Sequence, residues 1–184
     1  MKKSFINLSI VFLLILIHTN GYAQKVITKT GTIKFQATVP SYEEVAAENK
    51  SVSAILDQST GDFAALALIK GFRFKVALME EHFNENYMES EKFSKATLKG
   101  KLEDFDISKI TGTPKNFTLK GDLTIHGKTK PITVIIKISK AANELSTVGS
   151  FEVRPEDFDI QIPSLVRKKI ADKIKITYNF SLVK

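Results

Sequence analysis

The chain has 184 residues, 27 Lys and Arg against 20 Asp and Glu for a formal net charge of +7, and no Cys. That length fits one domain with room for a core and a ligand cavity, and the lack of Cys excludes disulfides, thiolate metal sites and cysteine nucleophiles, so packing and backbone ladders must hold the fold. The basic excess is mild, and the lysines alternate with apolar residues instead of forming a patch, which argues against a nucleic-acid partner.

Lys2 and Lys3 precede an apolar run from Ile10 to Ile17, and Gly21-Tyr22-Ala23 supplies small residues ahead of a cut. This predicts a secretory signal over residues 1–23, a single domain over 24–184, and export to the periplasm or beyond. The apolar run falls short of the ~20 residues that a helical membrane span needs, and no Cys follows it to carry a lipoprotein anchor. Without Lys2 and Lys3 the chain keeps 25 basic residues against 20 acidic, a net charge of +5.

From Val26 to Thr38, Ile33 and Phe35 alternate with Thr32, Lys34 and Gln36, the period of a strand with one buried face, and Pro40 ends it. Glu43 to Lys50, with Ser41 as N-cap, predicts a brief helix outside the sheet. Ser51–Asp57 and Asp62–Ile69 read as a hairpin about Gln58-Ser59-Thr60-Gly61. Over Lys75–Met88 the period changes: Val76, Met79, Phe83 and Tyr87 recur every three or four residues, which predicts an amphipathic helix over one barrel end. Ala96–Phe105 returns to a strand, and Thr111-Gly112-Thr113-Pro114 forms a loop.

The clearest pattern follows. Phe117, Leu119, Leu123 and Ile125 share one face, and Thr118, Lys120, Asp122, Thr124 and His126 the other. The chain turns at His126-Gly127-Lys128-Thr129, and Ile132, Val134, Ile136 and Ile138 carry the return strand. Pro131 has no N–H to give and belongs at a strand start or edge. Glu144–Val153 is a further strand after a turn at Ala142-Asn143, and Leu165–Ala171 is one or two basic helical turns. Lys173–Val183 is the last strand, with Ile174, Ile176, Tyr178, Phe180 and Leu182 on one face. About eight strands joined mostly by short turns give an all-β fold, for which an up-and-down barrel and a β-sandwich both remain open.

The stretch Gly121-Asp122-Leu123-Thr124-Ile125-His126-Gly127-Lys128-Thr129-Lys130-Pro131-Ile132 resembles the hairpin motif of the YceI-like family, exported bacterial lipocalin-like proteins. Glu81 to Phe93 is similar to the family's approach to its next strand, although Phe93-Ser94-Lys95 stands where most relatives have a Pro. Pro155-Glu156-Asp157-Phe158-Asp159-Ile160 resembles its C-terminal motif of an acidic residue followed by Phe. The resemblance covers nearly all of residues 24–184. It implies an eight-stranded antiparallel lipocalin-like barrel with short helical insertions and a bound polyisoprenoid chain.

Little in the sequence is arranged for catalysis. His82 has Glu81 and Glu85 beside it but no second His at ligand spacing, so a structural role is expected, with no metal and no cofactor. His126 is expected to be a solvated ring beside a turn Gly, and Asp57 and Asp62 to be turn residues. Phosphate loops, nucleophile elbows and His-Glu-x-x-His motifs are lacking. The enriched class is long apolar side chains on inward faces: Ile33, Phe35, Leu66, Leu68, Phe72, Phe74, Phe83, Leu98, Phe117, Leu119, Leu123, Ile125, Phe151, Ile176 and Phe180. They either fill the core or line a tunnel. The reading is an exported, non-enzymatic protein that carries an isoprenoid lipid or quinone-like amphiphile. Arg167-Lys168-Lys169 offers transient contact with a membrane surface. Its rivals are a filled barrel acting as a periplasmic interaction or stress-related module and, more remotely, an enzyme using His82. The pattern sets no oligomeric state.

Overall fold

The computed structural model describes residues 25–40 and 42–184. The expected signal segment and the Ser41 cap lie outside the described residues. Nine strands form one sheet: β1 (Lys25–Thr38), β2 (Ala46–Asp57), β3 (Asp62–Leu68), the two-residue β4 (Arg73–Phe74), β5 (Lys95–Leu102), β6 (Lys115–Ile125), β7 (Lys128–Ala141), β8 (Glu144–Val153) and β9 (Ile170–Leu182). The order is β1-β9-β8-β7-β6-β5-β3-β2-β4, and β1 also pairs with β2, so the eight long strands close into an antiparallel up-and-down barrel. A β-sandwich would have left two sheets. Closure asks β1 to bend, and its ladder with β2 shifts register between Thr28 and Gly31 and again between Gly31 and Ile33, as bulges do where a strand must coil.

The barrel has two unlike ends. At the first, the loops 58–61, 103–114 and 142–143 are compact, and Val26, Leu56, Leu119, Ile138, Leu145 and Leu182 are at most 2% exposed. Phe105 from the 103–114 loop packs on Phe117 with ring centroids 5.5 Å apart. The second end holds the insertions. Between β3 and β5 runs α1 (Ala77–His82), continued by a π-helical turn at Phe83–Tyr87. Between β8 and β9 lie a 3-10 turn at Pro155–Phe158 and α2 (Ser164–Arg167).

Most predicted elements are present, with three corrections. Glu43–Lys50 is not a helix: Ala46 to Asn49 pair with Gln36 to Ile33 on β1, and ladder bonds outweigh the weak helix preference of two alanines. The strand predicted over Ala96–Phe105 ends at Leu102, where Asp104 turns the chain with φ 50°. Ile170 and Ala171 belong to β9, so the basic helix is a single turn. The β6–β7 hairpin closes on His126 and Gly127 alone, both at positive φ (50° and 73°), the two-residue turn whose twist suits paired strands. Pro131 pairs with Asp122 on β6, and β8 joins β7 only from Ile136 onward, so Pro131 lies where no second ladder needs its N–H.

On β6, Leu123 is 6% exposed and faces inward whereas Asp122 is exposed. Leu123→Asp is expected to remove several kcal/mol from a total of ~5–15 kcal/mol, while Asp122→Ser leaves stability nearly unchanged. Melting curves for the two variants check this, and similar midpoints would contradict the assigned faces.

Candidate functional site

Strand alternation decides which side chains reach the barrel interior. On β3 these are Phe63, Ala65 and Ala67. The hairpin register pairs Leu56 with Phe63 and Ala54 with Ala65, and cross-strand partners share a face; Leu56 and Ala54 are buried. Leu66 and Leu68 therefore point outward, contrary to the sequence reading, and Leu68 is 55% exposed. Choosing the longer side chains slipped the strand by one residue, which exchanges its faces.

Three alanines at neighbouring inner positions, Ala65, Ala67 and Ala96, leave space that larger residues would fill. A cavity of about 50 Å³ results. Ile33, Leu98, Leu123, Ile136, Phe151 and Ile176 line it with those alanines and Thr97, and Phe63, Tyr178 and Phe180 border it as well. Of the predicted lining, Ile33, Leu98, Leu123, Phe151, Ile176 and Phe180 are there. Phe117 and Leu119 instead belong to the packed core, and Ile125 is half-buried beyond Leu123 without reaching the cavity. Phe63, Ala65, Ala67, Ala96, Thr97, Ile136 and Tyr178 were missed as lining. The alanines carry no signal in a search for large apolar residues, but their parity with Phe63 on β3 was available.

Phe35, Phe72, Phe74 and Phe83, also predicted, cluster at the insertion end. Phe83 on the π-helical turn stacks on Phe35 at 5.3 Å and meets Phe74 at 5.1 Å and Phe72 at 5.8 Å. Phe35 in turn lies 5.6 Å from both Phe72 and Phe74. Four rings from β1, β4 and the insertion thus close the barrel above its cavity.

At the β6–β7 hairpin tip, His126 is not solvated as expected. Its side chain is 11% exposed, its Nδ1 lies 3.1 Å from the carbonyl oxygen of Phe158, and its Nε2 lies 2.9 Å from the Glu89 carboxylate. Both partners can only accept, so the ring satisfies both when each nitrogen carries a proton. Phe93 packs edge-on at 4.4 Å. Lys128 reaches Asp159 at 2.7 Å, and this hydrogen bond holds the Asp159 carboxyl below its ordinary value. Glu89, His126 and Asp159 all have positive φ without being glycine, a clustering of backbone strain that surrounding contacts must maintain. The hairpin tip thereby ties the β3–β5 insertion to the β8–β9 insertion.

Inside the barrel, Tyr178 is 8% exposed, and burial pushes its phenol far above the ordinary range. A larger groove of about 1010 Å³ runs outside along α1, but it is open and lined by charges of both signs, among them the pairs Lys70–Glu91 and Arg73–Glu80, with Phe74 and Ala77 its apolar members. His82 is exposed on α1, and among the described residues no group of three or more His, Cys, Asp or Glu could hold a metal ion. Asp57 accepts hydrogen bonds from the Ser59 N–H at 2.9 Å and hydroxyl at 2.6 Å, as a turn residue does.

A family model described as the YceI-like domain matches residues 14–182. Among solved structures, a polyisoprenoid binding domain from Saccharophagus degradans implicated in plant cell wall breakdown superposes with a TM-score of 0.74 at 11% identity, covering 87% of this chain and 98% of that one. BcnA from Burkholderia cenocepacia gives 0.69 at 13% identity, with 84% and 96% covered. The Campylobacter jejuni YCEI protein gives 0.63 at 16% identity, with 79% and 88% covered. No curated protein matches the sequence.

Two outcomes are expected here. His126→Ala is expected to cost about 1–3 kcal/mol, the usual effect of orphaning charge-assisted partners, and to raise amide exchange in Glu89–Phe93 and Pro155–Asp159; exchange mass spectrometry reads both segments. The second concerns Tyr178. Because its folded-state pKa is raised, the unfolded chain releases this proton first, so the stability it supports is complete below about pH 10, the ordinary phenol value, and falls as pH rises further. Denaturant melts from pH 9 to pH 11.5 should show a steeper decline for wild type than for Tyr178→Phe.

Proposed function

Because the chain belongs to the YceI-like domain family, we propose that it is an exported, non-enzymatic binding protein that takes an isoprenoid lipid or quinone-like amphiphile into its barrel. The observation that carries this reading is the interior: an apolar cavity set among alanines, inside a barrel whose opposite end is packed solid. The Saccharophagus neighbour, described as a polyisoprenoid binding domain, supports the ligand class.

The mechanism is desolvation of an apolar tail. Each buried CH₂ contributes about 0.8 kcal/mol, and association and ordering cost roughly 4–15 kcal/mol, so a tail of some twenty carbons offsets those costs without any ion pair. A cavity of about 50 Å³ is far below the ~300–1,000 Å³ of ligand pockets, so entry requires the four rings to part and the interior to widen. Each aromatic contact is worth ~0.5–1.5 kcal/mol beyond its area, a barrier that a long tail can outweigh. Exchange with a membrane surface would use α2, where Leu165 is 89% exposed next to Arg167, Lys168 and Lys169. The same small volume favours a second reading, a filled barrel that acts as an interaction module.

Lipid extraction and mass spectrometry of detergent-free protein from the exported fraction separates the two, and the intact mass reports whether the chain starts at Gln24. Wild type should yield bound lipid that survives high salt. Ala65→Leu, which fills the cavity, should yield several-fold less while melting no lower. Protein that never carries lipid, or that loses it on raising salt alone, would establish the filled module instead.

A further inference from the structure

The register that turns the leucines of β3 outward leaves them with no role inside the barrel. Leu66 stands opposite Ser53 of β2, and Leu68 opposite Lys95 of β5. In the next row of the outer face, Ala64 pairs with Ile55 of β2, Ile55 with Ile27 of β1, and Ile27 with Val183 just past the end of β9. Leu68 is 55% exposed, Val183 45% and Ile27 40%, and Ile55, Ala64 and Leu66 are half-buried between them. Single exposed apolar side chains are ordinary on a protein surface, whereas a stripe that runs unbroken across neighbouring strands marks a contact surface.

Lysines flank this stripe on both sides: Lys25 and Lys29 on β1, and Lys95, Lys99 and Lys101 on β5, all exposed. Their carboxylate neighbours by register are Asp57 for Lys25, Asp62 for Lys101 and Asp122 of β6 for Lys99, so five lysines meet three carboxylates and the face keeps a cationic excess. A second copy of the chain would set those lysines against their own kind in a symmetric contact. An anionic partner meets them favourably. The face is also the outer wall of a closed barrel and therefore convex, a shape that a fluid bilayer follows without a matching cleft. Lysine stems can lie along the apolar stripe while their ammonium groups reach lipid phosphates. We propose that this wall of β1, β2, β3 and β5 docks the barrel on the surface of an anionic phospholipid bilayer, a contact distinct from α2 and independent of any lipid inside. The inverted strand β3 then serves two purposes, with alanines opening the cavity and leucines meeting the membrane.

The test is flotation of the protein with vesicles of phosphatidylcholine alone and of phosphatidylcholine mixed with phosphatidylglycerol. Wild type is expected to float with the mixed vesicles and to lose most of that binding as added salt screens the lysines. Lys95→Gln combined with Lys99→Gln should weaken it by about fivefold per lysine removed, and Leu68→Thr by several-fold, with melting unchanged because these side chains face outward. The chain has no Cys, so a polarity-sensitive dye can be attached after Ser53→Cys, within the face, or after Thr133→Cys, exposed on β7. Its emission should shift to the blue on vesicles only at position 53. Absence of vesicle binding, binding that the lysine and leucine variants leave intact, binding lost only in Leu165→Ser, or a blue shift at position 133 instead would each overturn the inference. So would a dimer in sedimentation velocity that Leu68→Thr dissociates, since a second copy would then cover the face. Lipid extracted from the barrel interior is a separate readout and should be the same in wild type and these variants.

Discussion

Everything in this molecule depends on the sheet closing upon itself. β1 makes that possible by pairing with β2 on one side and β9 on the other, so the eight long strands present no edge where backbone N–H and C=O groups would go unmet. A strand serving both neighbours must bend strongly, and the register shifts on either side of Gly31 supply the bend. Gly31 also lets the Phe180 ring lie against the β1 backbone, since a Cβ there would fall 2.4 Å from a ring carbon. Closure and core filling are therefore solved at one position: the bend in the strand is also the seat of a buried ring.

How far the sequence could be read follows from what each pattern encodes. Alternation in the middle of β6, β7 and β9 was legible, because large apolar residues stand at Phe117, Leu119, Leu123 and Ile125, at Ile132, Val134, Ile136 and Ile138, and at Ile174, Ile176, Tyr178, Phe180 and Leu182, and the structure agrees. On β3 the inner positions are mostly alanine and the outer ones leucine, so hydrophobic strength pointed to the wrong face; only the partner strand settles it, through the pairing of Leu56 with Phe63. The helix expected over Glu43–Lys50 failed for a different reason. Its Ala, Glu and Lys residues favour a helix locally, and the ladder from Ala46–Asn49 to β1, which local sequence cannot reveal, overrides that preference. His126 looked exposed because it lies on the polar face next to a turn. Its partners, Glu89 and Phe158, are 37 and 32 residues away, a separation at which no local pattern speaks.

Those distant contacts give the insertion end its character. The 69–94 segment has few buried residues of its own: neither α1 nor the π-helical turn contains one. What holds the segment is Phe83 among three other rings, the buried Ile69, Met88 and Ser90, the pairing of Arg73 and Phe74 with β2, and the His126 tie to Glu89. A π-helical turn within a short helix fits this arrangement, since the extra residue turns Phe83 toward the barrel at the expense of regular helical bonds. Such a cap has low local stability by construction, because a handful of ring contacts, the two-residue β4 pairing, the exposed Lys75–Glu44 pair and the His126 tie oppose its opening.

The difference between the two ends also bears on how a barrel with so little free volume can host a guest. Where Val26, Leu56, Leu119, Ile138, Leu145 and Leu182 meet, packing is complete, and making room would mean breaking strand pairing or creating cavities at a cost that rises with their volume. At the other end the walls carry Ala65, Ala67 and Ala96, and above them stand rings that can change rotamer while every ladder stays intact. Expansion therefore has one inexpensive direction, from the alanine-lined cavity toward the aromatic cap. A guest entering that way meets apolar side chains along its path and in the cavity it reaches. Fit is thus governed by the cap and walls, and the cavity itself places no polar demand on a guest.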